Sequence, residues 1–215
     1  MSRIIIADDH PLFRAALRQT LSGVTVEETG DLSALSAALE SDRDCDLVLL
    51  DLNMPGAHGF SGLLLLRAQY PEVPVMVISA VEDPKVIRRT FELGAAGYLP
   101  KSVGPADIRA AIDTVLKGEV YVPEGVNLAT DDEQTAFVRR LSTLTPQQIR
   151  VLMMLSDGLM NKQIAYELSI SEATVKAHVS SILQKLDVDS RTQAVIAASR
   201  IEQGQFEQLL NPEAG

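Results

Sequence analysis

At 215 residues, 46% of them hydrophobic, the chain is long for one compact domain and short for three, so two domains with real cores are expected. It has no apolar run near the ~20 residues that a membrane-crossing helix needs and no charged-then-apolar leader after Met1, so neither membrane insertion nor secretion is expected, and the reading is cytosolic. The single cysteine, Cys45, lacks a disulfide partner or a ligand-spaced Cys or His, which fits a reducing compartment and a packing role.

The formal charge of −10 argues against a polyanionic partner such as DNA, whose affinity comes largely from Lys and Arg at phosphates. The acid is uneven, however. Residues 1–120 carry 11 basic against 17 acidic side chains, whereas residues 143–199 carry five of each. A locally neutral second half is still no basic footprint, so DNA binding has to be argued there from geometry.

In chain order, the first 120 residues alternate strand and helix signals. Arg3–Ala7, Asp46–Leu50 and Pro74–Ile78 are short continuous apolar runs, as expected for parallel strands covered on both faces. Val24–Glu28 is a weaker edge candidate and Gly97-Tyr98-Leu99 reads as a fifth strand. Helices are predicted over Pro11–Ser22, Pro84–Leu93 and Pro105–Lys117, each with Pro in the first turn and Gly just past the end. Five βα units with right-handed crossovers give an α/β, doubly wound, flavodoxin-like sheet in the order 2-1-3-4-5.

Residues 120–142 read as a linker, with a helix from about Asp131 to Leu141. Beyond it the strands disappear. Helical segments are predicted over 146–157, 162–168, 172–186 and 191–203, an all-α four-helix domain spanning 143–215. Thr145-Pro146-Gln147-Gln148 and Ser190-Arg191-Thr192-Gln193 both match the capping box.

Open parallel sheets collect their chemistry outside the carboxyl ends of the strands. Asp8 and Asp9 follow the first strand, Asp51 ends the third, Ser79 the fourth, and Lys101 follows the fifth. Three carboxylates without Cys or His make a hard-oxygen site that suits Mg²⁺ or Mn²⁺. Lys101 supplies a compact positive charge for the pocket and for an incoming phosphoryl group, Ser79 can donate to that group, and an Asp can act as the nucleophile. Singly, Asp8 and Asp9 could be helix-capping acids and Lys101 a solvated lysine; the joint placement at four strand ends favours a site. His10 is expected to be structural or exposed, for want of a ligand partner at suitable spacing.

Asp8-Asp9-His10-Pro11, Asp51-Leu52-Asn53-Met54-Pro55-Gly56, Ser79-Ala80 and Tyr98-Leu99-Pro100-Lys101 resemble the receiver domain of response regulators, over roughly residues 2–118. The resemblance implies that Asp51 is the phosphoacceptor and that Mg²⁺ is held by Asp9, Asp8, Asp51 and the backbone carbonyl of Asn53. It also implies that Ser79 and Tyr98 are a switch pair beside Lys101. Haloacid-dehalogenase-like phosphatases share a strand-end Asp nucleophile but use a second acid two residues on; Asn53 stands there and cannot protonate a leaving group. No enzyme activity is expected beyond self-phosphorylation and slow self-hydrolysis.

In the second half, Asn161–Leu168, a short turn through Ser169-Ile170-Ser171, and Glu172–Leu186 read as helix, turn, helix. Val175, Val179, Ile182, Leu183 and Leu186 recur at helical spacing and are expected to pack inward. Lys176, Ala177 and Ser180 then form a small outward set suited to a major groove, and Thr174, His178, Lys185 and Arg191 are placed to reach phosphates. Leu144-Thr145-Pro146, Asn161-Lys162-Gln163-Ile164-Ala165, Thr174–Val179 and Ser190–Ala194 resemble the LuxR-type DNA-binding domain. With the receiver, the chain resembles the NarL/FixJ group. Ile149 and Ser180 depart from the family's usual residues.

The resemblance implies base reading by Lys176, Ala177 and Ser180, DNA contacts from Asn161 and Lys162, and dimerisation through Ala194, Val195, Ala198 and Ile201. Expected partners are a sensor histidine kinase, a double-stranded DNA operator, a second copy of the chain once Asp51 is phosphorylated, and RNA polymerase. The alternative is a phosphorylation-independent DNA binder that uses its receiver as a dimerisation platform.

Overall fold

The computed structural model describes residues 2–128, 136 and 139–196, and the chain divides into two compact units, Met1–Ala129 and Thr130–Gly215. Among the described residues no helix is long and apolar enough to cross a membrane.

The first unit is a parallel sheet of β1 (Arg3–Ala7), β2 (Thr25–Thr29), β3 (Leu47–Asp51), β6 (Val75–Ser79) and β7 (Gly97–Pro100), ordered β2-β1-β3-β6-β7. Counted within the sheet this is 2-1-3-4-5, the order expected from sequence. Side chains alternate across the pleat. Ile4, Ile6, Leu47, Leu49, Met76, Ile78 and Leu99 face one core, which α1 (Pro11–Thr20) and α5 (Pro105–Leu116) close with Leu17, Ile108, Ile112 and Val115. Ile5, Val48, Leu50, Val75 and Val77 are buried as well. Burial on both faces is why these strands are continuous apolar runs.

Helix ends follow their local chemistry. Asp83 caps α4 (Pro84–Glu92) by accepting from the Lys85 amide at 2.8 Å. Beyond α4 and α5, Gly94 and Gly118 take φ of 89° and 84°, a left-handed conformation that a side chain would oppose. Two helices have no clear sequence signature. In α2 (Leu32–Ser41) the Asp31 carboxylate caps the start through the Ala34 amide at 2.7 Å. In α3 (Ser61–Gln69) the residues Ser61 to Leu66 are all buried, so the one-sided periodicity that marks a surface helix is absent. A two-residue ladder of β4 (Asn53–Met54) with β5 (Ala57–His58) follows Asp51 directly.

After α5 the chain returns to the sheet edge. The Tyr121 amide donates to Ala96 O at 3.1 Å and its carbonyl accepts from the Tyr98 amide at 3.2 Å, a single parallel bridge on the outer side of β7.

The second unit contains α6 (Pro146–Ser156), α7 (Asn161–Glu167) and α8 (Glu172–Leu186), with helical residues also at 136, 139–142 and 191–196. Most of the helix expected from Asp131 to Leu141, and the part of 191–203 beyond 196, lie outside the described residues. Thr145 and Gln148 form the expected capping box: Thr145 Oγ1 accepts from the Gln148 amide and Gln148 Oε1 from the Thr145 amide. At Ser190 only half of the expected box forms. Ser190 Oγ accepts from the Gln193 amide at 3.2 Å, but Gln193 Oε1 reaches one residue further back, to the Asp189 amide at 2.7 Å.

Leu49 is fully buried in the central strand, so Leu49→Ala is expected to cost about 2–5 kcal/mol. The measurement is a urea titration of the receiver transition, with a lower midpoint and an unchanged slope.

Candidate functional site

The strand order puts the ends of β1 and β3 side by side, so that Asp8 and Asp51 share one rim although 43 positions separate them. Both are buried, with 2% and 3% of their surface exposed. Lys101, just beyond β7, bridges them: its Nζ lies 2.8 Å from Asp51 Oδ2 and 2.7 Å from Asp8 Oδ2. The Lys101 amide donates to Ser79 O at 2.8 Å, which holds the stem in place, and the ammonium sits 4.9 Å above the Phe13 ring centroid, a cation–π contact. Burial acts against the lysine's charge, but the close approach of Asp51 and then Asp8 outweighs it, and its pKa is raised. Lys101 therefore stays cationic.

Asp8 Oδ2 is buried and is paired with the Lys101 ammonium. Asp9 is on the open side of the rim. The Asn53 amide points to Asp51 Oδ1 at 3.4 Å, and the Asn53 side chain is exposed.

His10 is exposed, as expected, but it does have acidic neighbours. Its Nδ1 is 2.6 Å from Asp9 Oδ1 and 3.1 Å from Asp8 Oδ1, and its amide donates to Asp8 Oδ1 at 2.8 Å. One ligand atom from each of Asp8, Asp9, His10 and Asp51 lies within 4.8 Å of all the others. The only sequence signal was adjacency: His10 follows the acid pair at a strand end, where the chain folds back over its own carboxylates. Phe13 under Lys101 was also missed, because an apolar residue in the first turn of a helix looks like ordinary packing.

Ser79 and Tyr98 are both fully buried and meet on one residue, Val81. Ser79 Oγ accepts from the Val81 amide at 3.2 Å, while the Tyr98 hydroxyl donates to the Val81 carbonyl in a short hydrogen bond. Burial, opposed by the Ser79 hydroxyl, pushes the Tyr98 pKa up to about 12.

In the second unit, α7 and α8 join through Leu168–Ser171, where Ser169 takes φ 54°. Ser171 Oγ caps α8 by accepting from the Thr174 amide at 3.0 Å. Val175, Ile182 and Leu186 are buried, Val179 and Leu183 half-buried, and Thr174, Lys176, Ala177 and Ser180 exposed on the other side. Lys176 pairs with Glu172 at 3.4 Å, an exposed pair that costs little to break. Lys162 is exposed and His178 half-buried.

Two residues expected at phosphates also bond inside the unit. Lys185 Nζ donates to Thr143 O at 2.7 Å and to Gln148 Oε1 at 2.8 Å, and Gln148 in turn donates to Ser181 Oγ at 2.8 Å. Arg191 donates to Asn161 Oδ1 at 2.8 Å and to Leu159 O at 2.5 Å, so Asn161 is partly engaged as well. Ile149, one of the two departures, is buried core. On the expected dimerising side, Ala194 is fully buried in its own unit and so does not form a contact face. Val195 is half-buried, Ile196 is exposed, and Ala198 and Ile201 lie outside the described residues.

Comparison with known proteins agrees with this arrangement on both halves. Residues 4–113 match the response regulator receiver domain and residues 142–198 the luxR family of bacterial regulatory proteins. The chain belongs to the response-regulator family. It is 44% identical over 215 residues to the glycerol metabolism activator of Pseudomonas putida, covering 94% of this chain and 97% of that protein. It is 36% identical to the nitrate/nitrite response regulator NarP of Escherichia coli, covering 90% and 93%. Among solved structures, the RcsB–DNA complex aligns at 25% identity with a TM-score of 0.55 over 93% of this chain and 98% of that one. A LuxR family DNA-binding response regulator from Silicibacter pomeroyi aligns at 34% identity with a TM-score of 0.51, over 58% and 98%. This response regulator thus joins a receiver to a LuxR-type DNA-binding domain, the composition of a transcription regulator.

The raised Tyr98 pKa has a direction that can be measured. The unfolded chain ionises this tyrosine from about pH 10 and the folded regulator only near 12, so the contribution is complete below pH 10 and is lost as the pH rises toward 12. In urea titrations the stability gap between the native chain and Tyr98→Phe is expected to be constant below about pH 10 and to narrow above it.

Proposed function

We propose that this regulator is switched by phosphorylation of Asp51 and that phosphorylation controls pairing and sequence-specific binding to operator DNA. The observation that carries the reading is the bridge of Lys101 between two buried carboxylates, Asp8 and Asp51, at adjoining strand ends. Two buried carboxylates, Asp8 and Asp51, with a further acid, Asp9, on the open side of the rim, fit a divalent cation. Asp8, Asp9, Asp51 and the Asn53 carbonyl would hold Mg²⁺, which when bound offsets the charge of the carboxylates and of the transferring group.

The donor would be a phosphohistidine of a sensor kinase. An Asp51 oxygen attacks phosphorus, the P–O bond forms as the P–N bond breaks, and the electron pair leaves with the imidazole. Lys101 neutralises the added charge, and the Ser79 hydroxyl turns from the Val81 amide toward the phosphoryl oxygens, freeing the residue whose carbonyl accepts from the Tyr98 hydroxyl. The receiver surface is thereby biased between two packings.

In the second unit, Lys176, Ala177 and Ser180 would read base edges, with Lys162, Thr174 and His178 at the backbone. Asn161, Lys185 and Arg191 would act by holding α7 and α8 in place. The charge available for phosphates is then small, and two copies on one operator double it, with half-sites about one helical turn apart. Val195 and Ile196, with Ala198 and Ile201 beyond, would form the contact between copies. RNA polymerase is the further partner for such a regulator, and a DNA operator places it in the cytosol.

Asp51→Asn is expected to abolish incorporation of phosphate from acetyl phosphate with Mg²⁺; labelling of the variant would remove Asp51 as the acceptor. Gel shifts with and without beryllofluoride separate the switch from a constitutive binder, for which the two affinities would be equal. The slope of log affinity against log salt separates the two classes of cation. Lys162→Ala is expected to lower its magnitude by about one, whereas Lys185→Met should weaken binding with the slope unchanged.

A further inference from the structure

We infer that His10 is a metal ligand of the carboxylate pocket and that it gives the pocket affinity for a first-row transition dication beyond what its oxygens alone supply. The inference rests on reading the pocket as a cation site. Its own support is the placement of one imidazole. His10 stands at the N-cap position of α1, yet its side chain makes no capping hydrogen bond, so the ring is not required to start the helix. It turns instead to the acids, with Nδ1 at 2.6 Å from Asp9 Oδ1 and 3.1 Å from Asp8 Oδ1.

Around an octahedral ion with bonds of about 2.0–2.1 Å, neighbouring donor atoms are about 3 Å apart. The His10 nitrogen stands 3.1 Å from Asp8 Oδ1, close to that spacing, and 2.6 Å from Asp9 Oδ1, a hydrogen-bond distance that a small outward shift of the ring would open to it. The oxygens are also divided in use. Lys101 occupies the Oδ2 side of Asp8 and Asp51, whereas His10 faces the Oδ1 side of Asp8 and Asp9, so the imidazole and the ammonium do not compete for one position. With 65% of its side chain exposed, His10 can exchange an ion with solvent.

The chemistry of the set decides the class of ion. Oxygens alone suit Mg²⁺ and Mn²⁺, whereas an imidazole nitrogen favours the borderline ions, Ni²⁺, Co²⁺ and Zn²⁺. In this regulator the pocket would then accept a transition ion in competition with Mg²⁺.

The test is calorimetric titration of the untagged full-length protein with NiCl₂ and, separately, MgCl₂. Ni²⁺ exceeds Mg²⁺ at most nitrogen–oxygen sites, so the diagnostic quantity is the dependence on His10. His10→Ala is expected to weaken Ni²⁺ binding by about tenfold or more while Mg²⁺ affinity changes by less than about twofold. His10→Gln, which returns an oxygen donor, should leave Mg²⁺ unchanged and not restore Ni²⁺. Equal weakening for both ions, no effect of His10→Ala, or Ni²⁺ binding that survives in Asp9→Asn would overturn the assignment. Failure of the unmodified chain to bind Mg²⁺ at all would instead overturn the cation reading of the pocket.

Discussion

Two carboxylates, Asp8 and Asp51, are taken out of water at neighbouring strand ends, and one ammonium, from Lys101, makes that possible. Like charges in a buried site raise each other's pKa, and an unpaired buried ion costs several kcal/mol. The surroundings converge on satisfying this constraint. The crossover order brings β1 beside β3, β6 carries the carbonyl that anchors the Lys101 backbone, and Phe13 lies under the ammonium. Any group that adds or removes charge at this rim acts on an arrangement already held in balance, which is the physical basis for expecting a switch.

The route away from the rim is short. Ser79 and Tyr98 share Val81 as a partner, one at its amide and the other at its carbonyl, and the Tyr98 amide is in turn bonded to the Tyr121 carbonyl. A residue on the strand that carries the buried ring is thus bonded to the chain segment that follows α5. Backbone hydrogen bonds are directional and cannot be left unmade when buried, so movement of that strand is felt by the segment attached to its edge.

The second unit works under the opposite shortage. It has few cations, and Lys185 and Arg191 are used to fasten α8 and the helical residues 191–196 to their neighbours. The helix pair is fastened by hydrogen bonds from its own unit's side chains, and the outward surface of α8 is left with small residues and one paired lysine. A domain with so few free cations has little phosphate-neutralising charge per copy.

Much of this was legible in the chain itself. Continuous apolar runs marked strands buried on both faces, Pro and Gly marked helix ends, and acids at the ends of those runs marked the rim; these are local signals with local causes. Helices α2 and α3 escaped because one has only a single capping acid and the other is buried almost all round, which removes its periodicity. The sequence by itself therefore determined the five strands, their order in the sheet and the acids, Ser79 and Lys101 at their ends. Only the tertiary structure decided that His10 turns back on Asp8 and Asp9, that Lys185 and Arg191 serve the domain from within, and that Ala194 belongs to a core. Each of these depends on which residues distant in sequence, or folded back on themselves, come within 3 Å or so, and hydrogen bonding at that range leaves no periodic trace in the chain.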